Sequence, residues 1–315
     1  MKIIITGAGG LVATELIANL LNENNCSLFL ISTHVEIIEQ RYEKYPLQVK
    51  CFTLESFENY INGSEVVFDF CIHAAFARSG RGEFIVSSLE FQRKLLSLFS
   101  SVNLRVFINI SSQSVYGKMK EPMWTEDTPL DPDYLYAMGK YFSEVITELV
   151  LKNSGIRWAN IRLCSVCENA RFVRVFVQNA ISGTPIHLTA PNQGCSFIDV
   201  RDVANALEAL ILHPHLLGDR HVFNLGANLQ NTIKSIALLV KEVGEEQYLT
   251  PEVVITEESS DNNVRIGMDA SLFMKTFNWA PEYSMKDMVV SLFEMLTNVN
   301  GGGYPTSFKL VYYGK

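Results

Sequence analysis

Tyr136 and Lys140 stand four residues apart in the stretch YAMGK. On a helix that spacing sets a phenol and an ammonium on one face, a turn apart. A free phenol holds its proton up to a pKa of about 10, and a neighbouring ammonium favours the phenolate. Such a pair could pass a proton to or from a hydroxyl or carbonyl oxygen. The same spacing also occurs as a solvated polar pair on many helices, so the rest of the chain must decide.

A second chemical feature opens the chain. TGAGGLVA (6–13) sits where the apolar run KIIIT stops and Leu11, Leu16, Ile17, Leu20 and Leu21 take up helical spacing. Gly7 permits a tight turn, Gly10 lets backbone N–H groups approach a pyrophosphate, and Ala13 is small enough for helix and strand to pack closely. That is the chemistry of holding a dinucleotide. An NAD site usually places an acid for the ribose 2′-hydroxyl at the end of the next strand. Here SLFLISTHVE offers Ser32, Thr33 and His34. Hydroxyls can donate to a 2′-phosphate that a carboxylate would repel, and Arg41 is near in sequence. The reading leans to NADP over NAD, with Glu36 or a main-chain contact as the alternative partner of the ribose.

These residues need elements to position them. SLFLIS (27–32), VKCFTL (49–54), EVVFDFCIHAA (65–75), LRVFINIS (104–111) and IRWANIRLCSV (156–166) are apolar runs suited to buried parallel strands. Phe84 to Val102 carries apolar residues at helical intervals. Tyr134 to Asn153 reads as a long amphipathic helix with Phe142, Val145, Ile146 and Leu149 on its apolar face and Gly155 as its stop. Strands alternating with helices predict an α/β, doubly wound parallel sheet. There is no internal repeat, and the one composition shift is GGG at 301–303, before the tail TSFKLVYYGK.

With 315 residues, 48% of them hydrophobic and 19% charged, the chain has ample material for a core. A net charge of −8 without a long Lys/Arg run argues against nucleic acid or an anionic membrane as partner. The N-terminus runs directly into a strand pattern rather than a secretory signal, and no apolar run reaches the ~18 residues of a membrane span. The six cysteines read as reduced packing residues of a cytoplasmic protein. Cys164 and Cys167 have CxxC spacing, but no second pair or nearby His completes a metal site.

Further motifs follow in order. IHAA lies at 72–75, ISSQSVYG (110–117) follows the LRVFINI run, and YAMGK comes next. Together with the glycine turn they resemble the extended short-chain dehydrogenases/reductases, the NAD(P)-dependent epimerase/dehydratase group that mostly acts on nucleotide-linked sugars. FIDVRDVANAL (197–207), FNLG (223–226) and FNWAP (277–281) resemble later elements of that family, so the likeness covers about residues 1 to 295. The resemblance implies that Tyr136 is the general acid or base while hydride moves at a nicotinamide. It implies that Lys140 also reaches the nicotinamide ribose and that Ser112 hydrogen-bonds the reacting oxygen, with Ser111 as the competing hydroxyl. Backbone cofactor contacts are implied at Ala74 and Ala75, which leaves His73 as a packing and turn residue. A homodimer packed through the catalytic helix and the helix before it is implied as well.

The chain also departs from that pattern. Family members that dehydrate sugars carry Asp-Glu directly after the Ser/Thr, where this chain has Gln113 and Ser114. A 4,6-dehydratase is therefore disfavoured, leaving 4-epimerisation or reduction of a keto-sugar. Positions where relatives use Asn and Arg on a nucleotide diphosphate hold Ser165 and Cys195, and VCEN (166–169) replaces VYGP. Arg78 and Arg81 of AFARSGRG, with Arg171 and Arg174, remain candidates for phosphate contacts or plain surface charges. Trp124, Trp158 and Trp279 read as packing residues, and Glu126 and Asp127 as a solvated loop.

The expected architecture is a dinucleotide-binding domain of residues 1–165 plus 199–226 and a smaller substrate lobe of 166–198 plus 227–300, followed by a tail at 301–315. Catalysis would occur in the cleft between them on a small molecule, in expectation a nucleotide sugar. A non-catalytic dinucleotide sensor or scaffold is the competing reading. Retention of Ser112, Tyr136 and Lys140 together speaks against it.

Overall fold

Strands buried on both faces need near-continuous apolar runs, and the runs named above assemble as one seven-stranded sheet. The computed structural model describes residues 1–22, 25–99, 103–117, 123–228, 231–258 and 267–298. The glycine run at 301–303 and the tail after it lie outside the described residues. The strands are β1 (Lys2–Thr6), β2 (Ser27–Ile31), β3 (Val49–Phe52), β4 (Val67–His73), β5 (Asn103–Ser112), β6 (Arg157–Leu163) and β7 (Val222–Leu225). Their order is β7-β6-β5-β4-β1-β2-β3, and every neighbouring pair is parallel. The order reverses between β1 and β4, the crevice at which sheets of this kind bind ligands.

The helices in chain order are α1 (Leu11–Asn22), α2 (Val35–Arg41), α3 (Leu54–Ile61), α4 (Gly82–Leu98) and α5 (Leu135–Leu151). They continue as α6 (Arg171–Ser182), α7 (Val200–Leu212), α8 (Ile233–Gln247), α9 (Ser271–Phe277) and α10 (Met285–Asn298). Alternation along β1 divides the core. Ile3 and Ile5 join Leu16, Ile17, Leu207 and Leu210 under α1 and α7, while Ile4 faces Phe29, Phe68, Leu95 and Phe107 on the side of α4 and α5. A second core lies between α6, α8 and α10, built on Val173, Phe176, Val240, Val289 and Phe293.

Two runs end earlier than their hydrophobicity suggests. β3 stops at Phe52 because Thr53 caps α3, its Oγ1 accepting the Ser56 N–H at 3.0 Å while Ser56 Oγ accepts the Thr53 N–H at 2.9 Å. The run at 156–166 breaks after Leu163, and Ser165–Val166 pairs with Phe197–Ile198 away from the main sheet.

The face of α5 reverses the expectation. Phe142 is 51% exposed and Leu149 75% exposed, with Val145 and Ile146 half-buried. The side turned to the sheet holds Ala137, Gly139, Lys140, Ser143, Glu144 and Thr147. Residues that carry hydrogen bonds into β5 and β6 take the inner face, so the apolar stripe is displaced outward.

In the turn before α6 and at the N-cap of α7, two carboxylates are buried near each other. Asp199 caps α7 by accepting the Arg201 N–H at 2.9 Å, and it pairs with the Arg201 guanidinium at 2.8 and 2.7 Å. Glu168 accepts the Val200 N–H at 3.3 Å, and burial with the nearby Asp199 charge pushes its carboxyl up to about 8 from an ordinary 4.5. A raised carboxyl contributes its full stability below 4.5 and loses it as pH rises through about 8. Thermal midpoints should therefore fall across that window in the wild type. Glu168→Gln should flatten the slope and sit several degrees above the wild type at the alkaline end. A variant with the wild-type slope would remove Glu168 as its source.

Candidate active site

The turn between β1 and α1 is built to the limit of backbone approach. Gly7 has φ +69°, and a Cβ there would lie 2.8 Å from the Ala75 nitrogen, so no side chain fits. The Gly10 N–H closes the turn on the Gly7 carbonyl at 2.8 Å. Thr6 ties this turn to the end of β4. Its Oγ1 shares a 2.8 Å hydrogen bond with His73 Nδ1 and accepts the Ala75 N–H at 3.2 Å. Burial lowers the His73 imidazolium to about 3, with the Lys140 charge acting in the same direction. His73 is thus a neutral tie between strands, stacked between Phe91 and Phe107.

Gly10 and Ala13 form one end of a cleft of about 1740 Å³ that also takes in Ala74, Ser112, Tyr136 and Lys140. The first turn of α1 carries no acid, which leaves the positive end of its dipole unopposed at this wall. The residues present therefore fit a dinucleotide pyrophosphate. At the end of β2, Ser32 donates its N–H to Phe52 O at 2.9 Å, and its hydroxyl accepts the His34 N–H at 3.1 Å. Thr33 is exposed beside it. Arg41 turns back instead, its Nη1 donating to Thr14 Oγ1 at 2.9 Å.

Ser112 and Tyr136 meet in the middle of the cleft. The Ser112 hydroxyl accepts the Ser114 N–H at 3.2 Å and hydrogen-bonds the phenol. Ser111, the competing hydroxyl, faces the other way and donates to Glu144 Oε1 at 2.5 Å. Strand alternation gives two adjacent serines different partners, Ser111 the Glu144 carboxylate and Ser112 the phenol. Glu144 in turn holds Arg162, whose Nη2 is 2.8 Å from its Oε2. Arg162 Nη1 donates to the Tyr116 hydroxyl at 3.0 Å, which donates to Asn224 Oδ1 at 2.6 Å.

Lys140 departs from the expected partnership with the phenol. It shares a helix face with Tyr136, yet its Nζ lies 6.0 Å from that ring's centroid. The ammonium donates to the Ile110 carbonyl at 2.7 Å and stands 4.3 Å over the Phe76 ring. Burial lowers it to about 7, against the pull of Glu144. The phenol itself is pushed above its ordinary value by burial, opposed by the Arg78 guanidinium and the Ser112 hydrogen bond and reinforced by Tyr134. Of the cations near the phenol, Arg78 opposes the upward push, while the Lys140 ammonium stands at the edge of cation–π range of the ring.

The rest of the cleft is lined by residues that include Gln113, Ser165, Arg171, Phe172, Cys195 and Phe197. Gln113 Nε2 donates to Ser165 Oγ at 2.9 Å, while its Oε1 and the Ser114 hydroxyl are buried without partners. Arg78 spans toward α6, donating to the Asn169 carbonyl at 3.3 Å. Arg81 is exposed and lies over Phe84, outside the cleft. Arg174 contacts Met295 Sδ and also lies outside it. Glu126 is half-buried and accepts the Asn224 N–H at 2.8 Å, so it is a structural acceptor rather than a solvated loop residue. Trp124 and Trp158 are buried, and Trp279 packs against the core. Phe76 and Trp124 line the site without having been expected there. Phe76 sits in the very loop that supplies Arg78, but a lone phenylalanine after a strand carries no chemical signal. Among the described residues, no three His, Cys, Asp or Glu side chains are grouped to hold a metal ion, and no helix is long and apolar enough to cross a membrane.

Comparison with known proteins matches residues 3–226 to the NAD dependent epimerase/dehydratase family. The chain is 19% identical over 307 residues to a low-salt glycan biosynthesis protein of Haloferax volcanii, covering 91% of this chain and 96% of that one. It is 20% identical to a dTDP-glucose 4,6-dehydratase of Haemophilus influenzae, covering 91% and 95%. Among solved structures, a UDP-glucuronic acid 4-epimerase from Bacillus cereus in complex with UDP-glucuronic acid and NAD superposes with a TM-score of 0.76 at 17% identity, covering 95% of this chain and 100% of the other. At that identity the likeness is one of fold.

Proposed function

Since this chain belongs to the NAD-dependent epimerase/dehydratase family, we propose that it catalyses hydride transfer at a carbinol or carbonyl of a sugar, with Tyr136 as acid/base. The observation that carries this reading is the Ser112–Tyr136 hydroxyl pair inside the cleft that begins at the N-terminus of α1. A nicotinamide dinucleotide, when bound, would supply the hydride acceptor and donor. The turn at Gly7 and Gly10, with Ala13, Ala74 and Ala75 around it, would hold the dinucleotide, and Lys140 would bind its ribose. Ser112 would orient the substrate oxygen while Tyr136 gives or takes the proton at that same oxygen.

Substrate and reaction follow from what lines the other half. Arg78 and Arg171 would meet the phosphates of a nucleotide sugar, with Ser165 held toward it by Gln113. Gln113 and Ser114 offer no acid or base, which favours epimerisation or keto-sugar reduction over the dehydration performed by one of the relatives. The end of β2 carries Ser32 and Thr33 and no carboxylate, which keeps NADP ahead of NAD as the preferred form. We take the dinucleotide domain as 1–165 plus 199–226 and the substrate lobe as 166–198 plus 227–300. The thiols of Cys51, Cys71, Cys164, Cys167 and Cys195 agree with a cytoplasmic setting. The outward stripe of Leu135, Met138, Phe142 and Leu149 on α5, beside Phe84 and Val86 of α4, supports a homodimer through those helices.

Three measurements test these points. Tyr136→Phe should lower turnover about a hundredfold or more while dinucleotide affinity stays within about twofold; full activity on an identified substrate would remove Tyr136 as acid/base. Dissociation constants for NADPH and NADH should favour NADPH, and a clear preference for NADH would refute the role given to Ser32 and Thr33. Light scattering should find a dimer that Phe142→Asp breaks into monomers; a monomeric wild type would end the dimer proposal.

A further inference from the structure

Phe76 touches the lysine and braces the tyrosine at once. Its ring face lies 4.3 Å from Lys140 Nζ, and its edge meets the Tyr136 ring at a centroid distance of 6.0 Å and an interplanar angle of 80°. The place for this ring is cut by a glycine. A Cβ on Gly139 would come within 3.0 Å of Phe76 Cζ and 2.6 Å of Ile85 Cγ2, so α5 has no side chain there and the ring can lean in beside Lys140. We infer that Phe76 is a positioning residue, whose π face and the Ile110 carbonyl together hold the Lys140 ammonium at the cleft wall. The inference rests on the reading of Lys140 as a working part of the site.

The physical need is plain. Lys140 is only 5% exposed, and a buried ammonium must find electron density in place of water. One carbonyl at 2.7 Å satisfies one of its three donors. Of the charged and titratable groups around it, Glu144 on the same helix favours the cation but is occupied by Arg162 and Ser111. His73 on β4 is neutral, and Tyr136 is held protonated by burial. The negative face of an aromatic ring is the remaining compensation, and at this distance it is well inside the range of a cation–π contact. The ring is apolar and takes up none of the remaining N–H donors in a directional bond, so the lysine stays available to a ligand that offers hydroxyl groups.

The test follows the Lys140 titration in the ligand-free chain, by the chemical shift of 13Cε-labelled lysine, with the signal assigned by its loss in Lys140→Met. Phe76→Leu removes the π face and should lower the Lys140 midpoint by about half to one pH unit, a change of about three- to tenfold in proton affinity. Phe76→Tyr keeps the face and should restore the wild-type midpoint. A ring-fluorinated phenylalanine at position 76 keeps the shape while weakening the quadrupole, so it should lower the midpoint in step with fluorine number even if the leucine variant folds poorly. Wild-type titration in both the leucine and the fluorinated proteins would overturn the inference. Because this readout needs neither cofactor nor turnover, its failure is distinct from a failure of the proposed activity.

Discussion

A lysine and a glutamate one turn apart on the sheet-facing side of α5 cannot both be left dry and unpaired, and much of the structure is arranged around that requirement. Lys140 takes the Ile110 carbonyl, while Glu144 takes Ser111 and Arg162. Removing one member of such a buried pair costs about 3–5 kcal/mol, a large part of the roughly 5–15 kcal/mol that holds a domain folded. Through Arg162 the same demand reaches Tyr116 and Asn224, so the ends of β5, β6 and β7 are fixed in one hydrogen-bonded layer. A neighbouring set continues it along α5, with Ser143 donating to Asn109 and Gln92 to Thr147. A helix anchored by this many directional bonds holds Tyr136 in one orientation without help from its own loop.

The same arrangement decides what happens on the outside. With polar and small residues required beneath α5, the helix has no inner face left for Phe142 or Leu149. Their exposure is a consequence of polar chemistry on the other side rather than a fault in packing. Gly139 shows the constraint at its sharpest. Glycine weakens a helix interior by about 1 kcal/mol, yet any side chain there would collide with Phe76 and Ile85.

What could be read in the sequence was what repeats or what is sterically unique. Six of the seven strands announced themselves as apolar runs because both faces of the sheet are covered, and the turn at Gly7 was legible because only glycine fits against Ala75. The helix of Tyr136 was legible too, but its orientation was not. Periodicity finds an apolar stripe and says nothing about whether the core or another surface receives it. Glu126 was misjudged for a related reason: its acceptor role depends on the Asn224 N–H, almost a hundred residues away in sequence. The choice between Ser111 and Ser112 needed only strand alternation and the position of Glu144, yet Glu144 gives no sign in sequence of facing inward. Phe76 had no signal at all, since a ring that supports an ammonium looks like any other apolar residue.

The proton chemistry of the site depends on charge more than on placement. Desolvation raises the Tyr136 phenol, and within the chain Arg78 and Ser112 work against it without reversing the direction. Lys140 stands at the edge of cation–π range of that ring, with its ammonium directed at Ile110 and Phe76. On the proposed role of Tyr136, a phenol held above its ordinary value favours proton donation. On the same proposed role, accepting a proton from a carbinol would require the phenol to be brought down, and movement of Lys140 or Arg78 toward the ring would supply positive charge for that. Arg78 is exposed and tied by one long bond of 3.3 Å to the Asn169 carbonyl, so of the two it is the cheaper to move. On that proposed role the fold favours the acid direction, and the base direction depends on bringing positive charge to the ring.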